Sequence, residues 1–309
     1  MNPKKSINLY GFENKLNFLV NLYKNNKLPQ VLMISGKKGI GKFTLINHFL
    51  NYIFNKNTET KYDLKNKIIN ERSLFYNAIL NHTSQNVLYL NSSNAKRLKI
   101  DDIRNLKNIL SKKLLNFEKR FIIIDEIEFL NVNSSNALLK ILEEPSQNNF
   151  FILINNNQFK VLETISSRCI KYNIFLSPSC TKKVIKHYID TRKLKTIIDI
   201  ENFNLTPGIY LEFNNILLQN QISLKGELME TISILLLSYK KSKNILVINL
   251  CNFLIEEYFY RMIFLNKKDI DSSNILKDKI IKTLKDFEEL NLNVNSVINS
   301  IKLKLEYVK

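Results

Sequence analysis

The stretch that most restricts the fold is G-K-K-G-I-G-K, residues 36–42. The apolar run V-L-M-I-S (31–35) precedes it, and Leu45, Ile46, Phe49, Leu50 and Ile53 follow at three- and four-residue spacing. A buried strand, a glycine-rich turn and an amphipathic helix in succession aim backbone N–H groups and a helix N-terminus at one point. That is how a chain holds phosphate. The pattern G-x-x-x-x-G-K-[S/T] is met by Gly36, Gly41 and Lys42, with Gly39 inside the loop, but Phe43 stands where the pattern has its hydroxyl. That hydroxyl normally holds Mg²⁺. Thr44 comes one residue later, about 100° further round a helix, and cannot simply substitute.

The surrounding sequence extends this unit into a domain. V-L-M-I-S (31–35), N-V-L-Y-L (86–90), F-I-I-I-D (121–125) and F-F-I-L-I-N (150–155) are short apolar runs of the kind buried on both faces of a parallel sheet. Ile100, Ile103, Leu106, Ile109 and Leu110 recur with helical spacing behind Asp101 and Asp102, acids that suit a helix start. Alternating strand and helix signals predict a doubly wound α/β domain. From about residue 178 the strand signals fade. C-T-K-K-V-I-K-H-Y-I-D-T-R-K-L reads as a helix, L-T-P-G-I as a turn, and 226–309 as several helices with loops near 241–244, 266–273 and 291–295. Lysine- and asparagine-rich patches at 55–70 and 266–278 read as solvated loops or helix ends. The expected organisation is an α/β domain over 1–175, a small helical domain over 176–215 and an all-α domain over 216–309.

Composition bounds the partners. A formal charge of +18 points toward a polyanion, but lysine, asparagine and isoleucine are used heavily throughout, as in an A+T-rich genome, so charge does not decide the matter. Cys169, Cys180 and Cys251 form neither a C-x-x-C pair nor a metal spacing, so no zinc site and no disulfide framework is expected. The apolar runs T-I-S-I-L-L-L-S-Y (231–239) and N-I-L-V-I-N-L-C-N-F-L-I (244–255) fall short of the roughly 20 residues a membrane span needs. They read as buried helix. The N-terminal M-N-P-K-K-S-I-N-L-Y-G-F-E-N-K lacks the apolar core of a signal peptide, and a cytoplasmic protein is expected.

Two further motifs carry chemistry. F-I-I-I-D-E-I-E-F-L ends an apolar strand in Asp125 and Glu126, the Walker-B arrangement of P-loop NTPases, in which the Asp holds Mg²⁺ and the Glu polarises the attacking water. N-S-S-N-A-L-L-K-I-L-E-E-P (133–145), with Ala137, Leu138, Leu139, Ile141 and Leu142 as an apolar face and Pro145 forcing the helix end, is followed by a strand and then by Ser167-Arg168-Cys169. This N-A-L-L-K-x-L-E-E-P helix and S-R-C tripeptide closely resemble the clamp-loader branch of the AAA+ ATPases. The resemblance is strong over 1–175 and weak over 176–309. It implies an AAA+ P-loop domain, a helical lid and an all-α collar. It further implies that N-L-Y-G-F-E-N-K, with Tyr10 and Gly11, packs over adenine, and that L-T-P-G-I-Y (205–210) is the lid motif. L-N-L-N-V-N-S-V-I-N-S-I-K-L-K-L resembles the closing helix of the delta-prime branch of the family.

The departures from that pattern set the functional expectation. Beside Phe43, Ile209 stands where hydrolysing members have a γ-phosphate-sensing arginine after Pro-Gly. Asn155 or Asn156 stands where the first sensor's threonine is usual, and the four-cysteine zinc module is missing. Phosphoryl transfer relies on positioning and charge neutralisation, so two losses beside the γ-phosphate weigh against efficient turnover. Lys42, Asp125 and Glu126 persist, with Glu126 vestigial as a base, so weak ATP binding, with any Mg²⁺ at Asp125, is compatible with the chain. Arg168 is the arginine that the resemblance sends across a subunit interface to a neighbour's ATP. The reading is a delta-prime-like stator acting with gamma/tau-type motor and delta-type subunits, the sliding clamp and primed DNA. The alternatives are an active gamma/tau-type ATPase and an AAA+ DNA-binding initiator or remodeller.

Overall fold

The computed structural model describes residues 6–56, 58–91, 98–111, 119–201, 203–224, 226–266 and 270–306. The chain divides into two compact units, one formed by Met1–His187 with Leu205–Gly208, the other by Tyr188–Asn204 with Ile209–Lys309.

The first unit is built on five parallel strands: β1 (Val31–Ser35), β2 (Val87–Asn91), β3 (Arg120–Asp125), β4 (Asn149–Asn155) and β5 (Ile170–Asn173), in the order β2-β3-β4-β1-β5. The four apolar runs are therefore strands, and their continuity has a simple cause. Successive residues alternate between the two faces of the sheet, and both faces are covered. Leu32, Ile34, Phe121, Ile123, Phe150, Ile152 and Ile154 join one buried cluster, while Val31, Met33, Ile122, Ile124, Phe151 and Leu153 join the other. The first face is covered by α1 (Glu13–Lys24) and α2 (Lys42–Phe54), which supply Leu16, Leu19, Val20, Leu45, Ile46 and Phe49. The second face packs on α4 (Ile100–Leu110) and α5 (Val132–Leu142) through Ile103, Leu106, Leu138 and Leu142. The short helix α3 (Leu74–Leu80) carries its N-cap on Ser73, whose hydroxyl accepts from Tyr76 N–H at 3.1 Å. In α4, Asp102 accepts from Lys99 N–H at 2.8 Å, giving an acid of the first turn a capping role.

A short helix α6 (Glu163–Ser166) and then Arg168 lead into β5. After β5 the chain enters α7 (Pro178–Arg192), and α8 (Pro207–Gln219) begins at the Pro-Gly of the expected lid motif. The second unit is all helical. Its helices α9 (Leu228–Ser242), α10 (Ile245–Asn266), α11 (Ile270–Leu290) and α12 (Val294–Glu306) pack in sequence, with α12 returning against α9. Leu235, Leu236, Cys251, Ile255, Ile280, Leu284, Val297 and Ile301 are buried among them. Both apolar runs at 231–255 thus serve this core, and among the described residues no helix is long and apolar enough to cross a membrane. The breaks near 241–244 and 291–295 are present. Of the expected loop near 266–273, residues 270–273 instead begin α11, so the patch at 266–278 includes a helix end, with residues 267–269 outside those described.

Candidate phosphate-loop site

Sheet register assembles the site. Ser35 pairs with Asn155 across β1 and β4, and Asn91 pairs with Asp125 across β2 and β3. The loop after β1, the acids after β3 and the asparagines after β4 therefore emerge along one carboxyl edge, where open α/β sheets place their ligands. Gly41, with φ of 103°, is the N-cap of α2, a conformation that L side chains rarely adopt. Phe12 lies over it, 3.5 Å from where a Cβ would stand. Tyr10 packs against His187 with ring centroids 4.1 Å apart and planes tilted by 47°, and Gly11 N–H donates to Glu13 Oε1 at 2.9 Å.

Lys42 is buried, and its ammonium folds back on the loop, donating to the carbonyls of Gly36 and Lys37. Burial brings it down to about 8 against the opposing pull of Asp125, Glu128 and Glu126. Lys38 reaches across to Glu126, with Nζ 2.8 Å from Oε1. Glu126 itself takes the left-handed conformation at φ 56°, so the chain turns sharply where β3 ends. Asp125 accepts from the Tyr89 hydroxyl at 3.0 Å on Oδ2 and from Glu126 N–H at 2.8 Å on Oδ1. Burial pushes the Asp125 carboxyl up, while those two bonds and the nearby ammoniums of Lys42 and Lys38 pull it back. Burial, and then Asp125, push the Tyr89 phenol up, so it stays a proton donor.

Asn155 donates from Nδ2 to Ser35 Oγ at 3.3 Å, and its Oδ1 accepts from Asn157 N–H at 2.9 Å. Asn156 donates its backbone N–H to Glu128 Oε1 at 2.9 Å. Burial raises the Glu128 carboxyl. Thr44 sits half-buried in the first turn of α2. The Pro-Gly segment belongs to this same unit. Gly208 N–H donates to Gly39 O at 2.8 Å, and Thr206 Oγ1 donates to Lys38 O at 2.7 Å. A Cβ on Gly208 would stand 2.9 Å from Gly39 Cα, so glycine permits that backbone approach.

Arg168 is not part of this cluster. Ile170, the first residue of β5, pairs with Leu32, four residues short of Gly36, and Arg168 precedes it in a turn outside the strand. At about 3.3 Å per residue the start of β5 already lies roughly 13 Å along the sheet from Gly36. The Arg168 guanidinium instead meets Glu143 Oε1 at 2.6 Å through Nη2 and Thr164 O at 2.9 Å through Nη1.

Four residues that sequence reasoning passed over stand out here: Lys38, Tyr89, Glu128 and Glu143. Lys38, Glu128 and Glu143 lie inside motifs already quoted, and their charge was a usable signal. A lone tyrosine in a buried strand is not. Tyr89 pairs with Ile123, two residues before Asp125, and only that register puts its hydroxyl beside the carboxylate.

The parallel sheet, the loop and the helices flanking both faces define a P-loop α/β domain, and the second unit is all α. The chain belongs to the family described as "DNA polymerase III, delta subunit", which matches residues 11–176, more than half of its length. One relative is the DNA polymerase III subunit delta' of Buchnera aphidicola subsp. Baizongia pistaciae, 34% identical over 86 residues, which are 28% of this chain and 26% of that protein. Another is the DNA polymerase III subunit tau/gamma of Haemophilus influenzae, 29% identical over 175 residues, 56% of this chain and 24% of the relative. The chain thus spans about a quarter of each of these relatives. Among solved structures, a gamma subunit-related protein from Thermotoga maritima is similar at 15% identity and a TM-score of 0.46, covering 93% of this chain and 98% of that one. The clamp-loader resemblance is borne out at the level of the family.

The side chains present suit the phosphate of a nucleotide better than they suit a divalent cation. Mg²⁺ takes oxygen ligands in near-ideal octahedral geometry. Phe43 offers no oxygen, and both oxygens of Asp125 already accept hydrogen bonds. Lys42, Lys38 and the loop amides are the groups suited to an anion.

Proposed function

We propose that this chain is a delta-prime-like stator of a clamp loader, hydrolysing little or no ATP itself and completing the ATP site of a neighbouring motor subunit with Arg168. Its partners in this reading are gamma/tau-type and delta-type subunits, the sliding clamp and primed DNA in the assembled complex. Its setting is the cytoplasm. The α/β domain over 1–175 would meet the neighbour, the segment 176–215 would act as the lid, and 216–309 would form the collar.

The observation that supports this most is that Arg168 precedes β5, whose first residue is roughly 13 Å along the sheet from the chain's own loop, and that its guanidinium is engaged by Glu143 and Thr164 instead of the loop. An arginine so placed, partly exposed and held by Glu143, serves a ligand on another subunit better than one on its own. Arginine suits the task because its planar fork meets two phosphate oxygens at once. Such a finger is worth roughly 10³–10⁵ in rate in related GTPases. Around the chain's own loop, Phe43 and Ile209 replace two groups that turnover uses, which supports a weak or absent ATPase. Asn155 and Asn156 remain candidates for the first sensor, Tyr10 and Gly11 for the adenine side, and Gly36, Gly39, Gly41, Lys42 and Thr44 for the phosphates.

The test is reconstitution with clamp-loader subunits from the same cells. The reading expects stable association with a motor subunit and negligible turnover by the purified chain. Robust ATP hydrolysis by the chain alone, abolished by Lys42→Ala, would instead favour the motor alternative.

A further inference from the structure

We infer that Tyr89 has taken the place of a divalent cation at Asp125, so that any phosphate held by this loop is held without metal. This rests on reading Gly36–Lys42 as a nucleotide site, and it goes beyond the loss of a hydroxyl at position 43. A cation in such a loop needs an oxygen from the first residue after the lysine and a carboxylate free to face it. Position 43 offers no oxygen, each oxygen of Asp125 already accepts one hydrogen bond, and the two features are physically joined. The Phe43 ring packs edge-on against Tyr89, with centroids 5.0 Å apart and planes at 71°. The Tyr89 hydroxyl then reaches Asp125 Oδ2 at 3.0 Å, while Oδ1 is engaged by Glu126 N–H.

Tyr89 can do this from a neighbouring strand because of register and parity. It pairs with Ile123, so Asp125 lies two positions further along β3 on the same face, a diagonal that a tyrosine side chain spans. The face is the one covered by α2, which brings Phe43 down beside it. One oxygen of the neighbouring acid is engaged in the same manner, since Lys38 donates to Glu126 Oε1 at 2.8 Å. A phenol and an ammonium therefore face the two carboxylates from which a metal site would be built. Restoring the hydroxyl at position 43 would leave Asp125 still occupied by Tyr89.

The experiment compares the full-length chain with Phe43→Thr, Tyr89→Phe and the Phe43→Thr/Tyr89→Phe double variant. ADP affinity is measured by calorimetry in Mg²⁺ and in EDTA, with Lys42→Ala as the control for binding at the loop. The wild type and both single variants are expected to show no Mg²⁺ dependence. The double variant is expected to bind ADP on the order of tenfold more tightly with Mg²⁺, a difference of about 1.4 kcal/mol. Mg²⁺ dependence in the wild type would overturn the inference. So would Phe43→Thr alone matching the double variant, or a folded double variant that gains nothing. Phe43→Ser/Tyr89→Phe serves as the second construction should the first not fold by circular dichroism. If the wild type holds no ADP in either condition, the nucleotide reading falls, while the role of Tyr89 is still decided by the double variant. Failure to associate with a motor subunit would fell the stator reading and leave this result untouched.

Discussion

Replacing Tyr89 by phenylalanine removes one oxygen and leaves the ring against Phe43. The bond lost runs 3.0 Å from a phenol to a buried-side carboxylate oxygen of Asp125. Hydrogen bonds to charged groups contribute about 1.5–3 kcal/mol, and the partial exposure of both residues argues for the lower part of that range. A loss of about 1.5 kcal/mol corresponds to a fall in Tm of roughly 3–6 °C for a domain of this size. The sign with pH follows from the carboxyl. Burial raises the Asp125 pKa above its unfolded value, so its ionisation weakens the fold as pH rises through the folded pKa, and Tyr89 offsets part of that penalty. Tyr89→Phe should therefore cost most at neutral pH and least in acid, where the carboxyl is protonated and accepts a weaker bond. The assay is a thermal melt of wild type, Tyr89→Phe, Asp125→Ala and the double variant at both pH values. The account expects a coupling of about 1 kcal/mol or more at neutral pH. Additive effects within about 0.3 kcal/mol would show that the bond contributes nothing of its own and refute the reasoning.

Other outcomes follow from the same geometry. Lys42 loses its proton near pH 8 in the free protein, so ADP affinity should fall as pH rises through that value. Stability of the free chain should instead rise between about 8 and the unfolded lysine value of about 10.4, since the unfolded state alone still binds that proton; urea titrations across that window check the sign. Gly208→Ala brings a Cβ to 2.9 Å from Gly39 Cα and strains the 2.8 Å bond to Gly39 O, which should destabilise by about 1–3 kcal/mol in a melt. The isolated chain should bind duplex DNA weakly, without sequence preference and with steep salt dependence. Tight, sequence-selective binding at physiological salt would favour the initiator alternative.

Much of the architecture is legible in the sequence because β1, β3 and β4 are buried on both faces and α2 and α5 carry clean helical periodicity. Pro145 sits three residues beyond the end of α5 at Leu142, as its restriction on the preceding residue requires. β5 is hidden because I-K-Y-N is an edge strand with three of its four residues exposed, so no apolar run announces it. α3 is hidden because seven residues are too few for periodicity to register. At the site, the glycines, Lys42, Asp125 and Glu126 are readable from spacing alone, since backbone geometry dictates those residue types. Tyr89 is not, because its role depends on which strand lies beside β3 and in what register. The salt bridge from Arg168 to Glu143 likewise joins residues 25 apart that only the fold brings together.

The central claim is that Arg168 acts on a neighbour's nucleotide, and steady-state ATP turnover by reconstituted complexes differing only at residue 168 tests it most directly. Arg168 is about a third exposed and its guanidinium bonds Glu143 and Thr164 at the surface, so Arg168→Ala should fold and assemble like the wild type. The account predicts that clamp- and DNA-stimulated turnover nevertheless falls, by up to the roughly 10³–10⁵-fold attributed to such fingers at the one site affected, and that Arg168→Lys rescues it poorly. Unchanged turnover in fully assembled Arg168→Ala complexes would contradict it and leave Arg168 as a structural partner of Glu143.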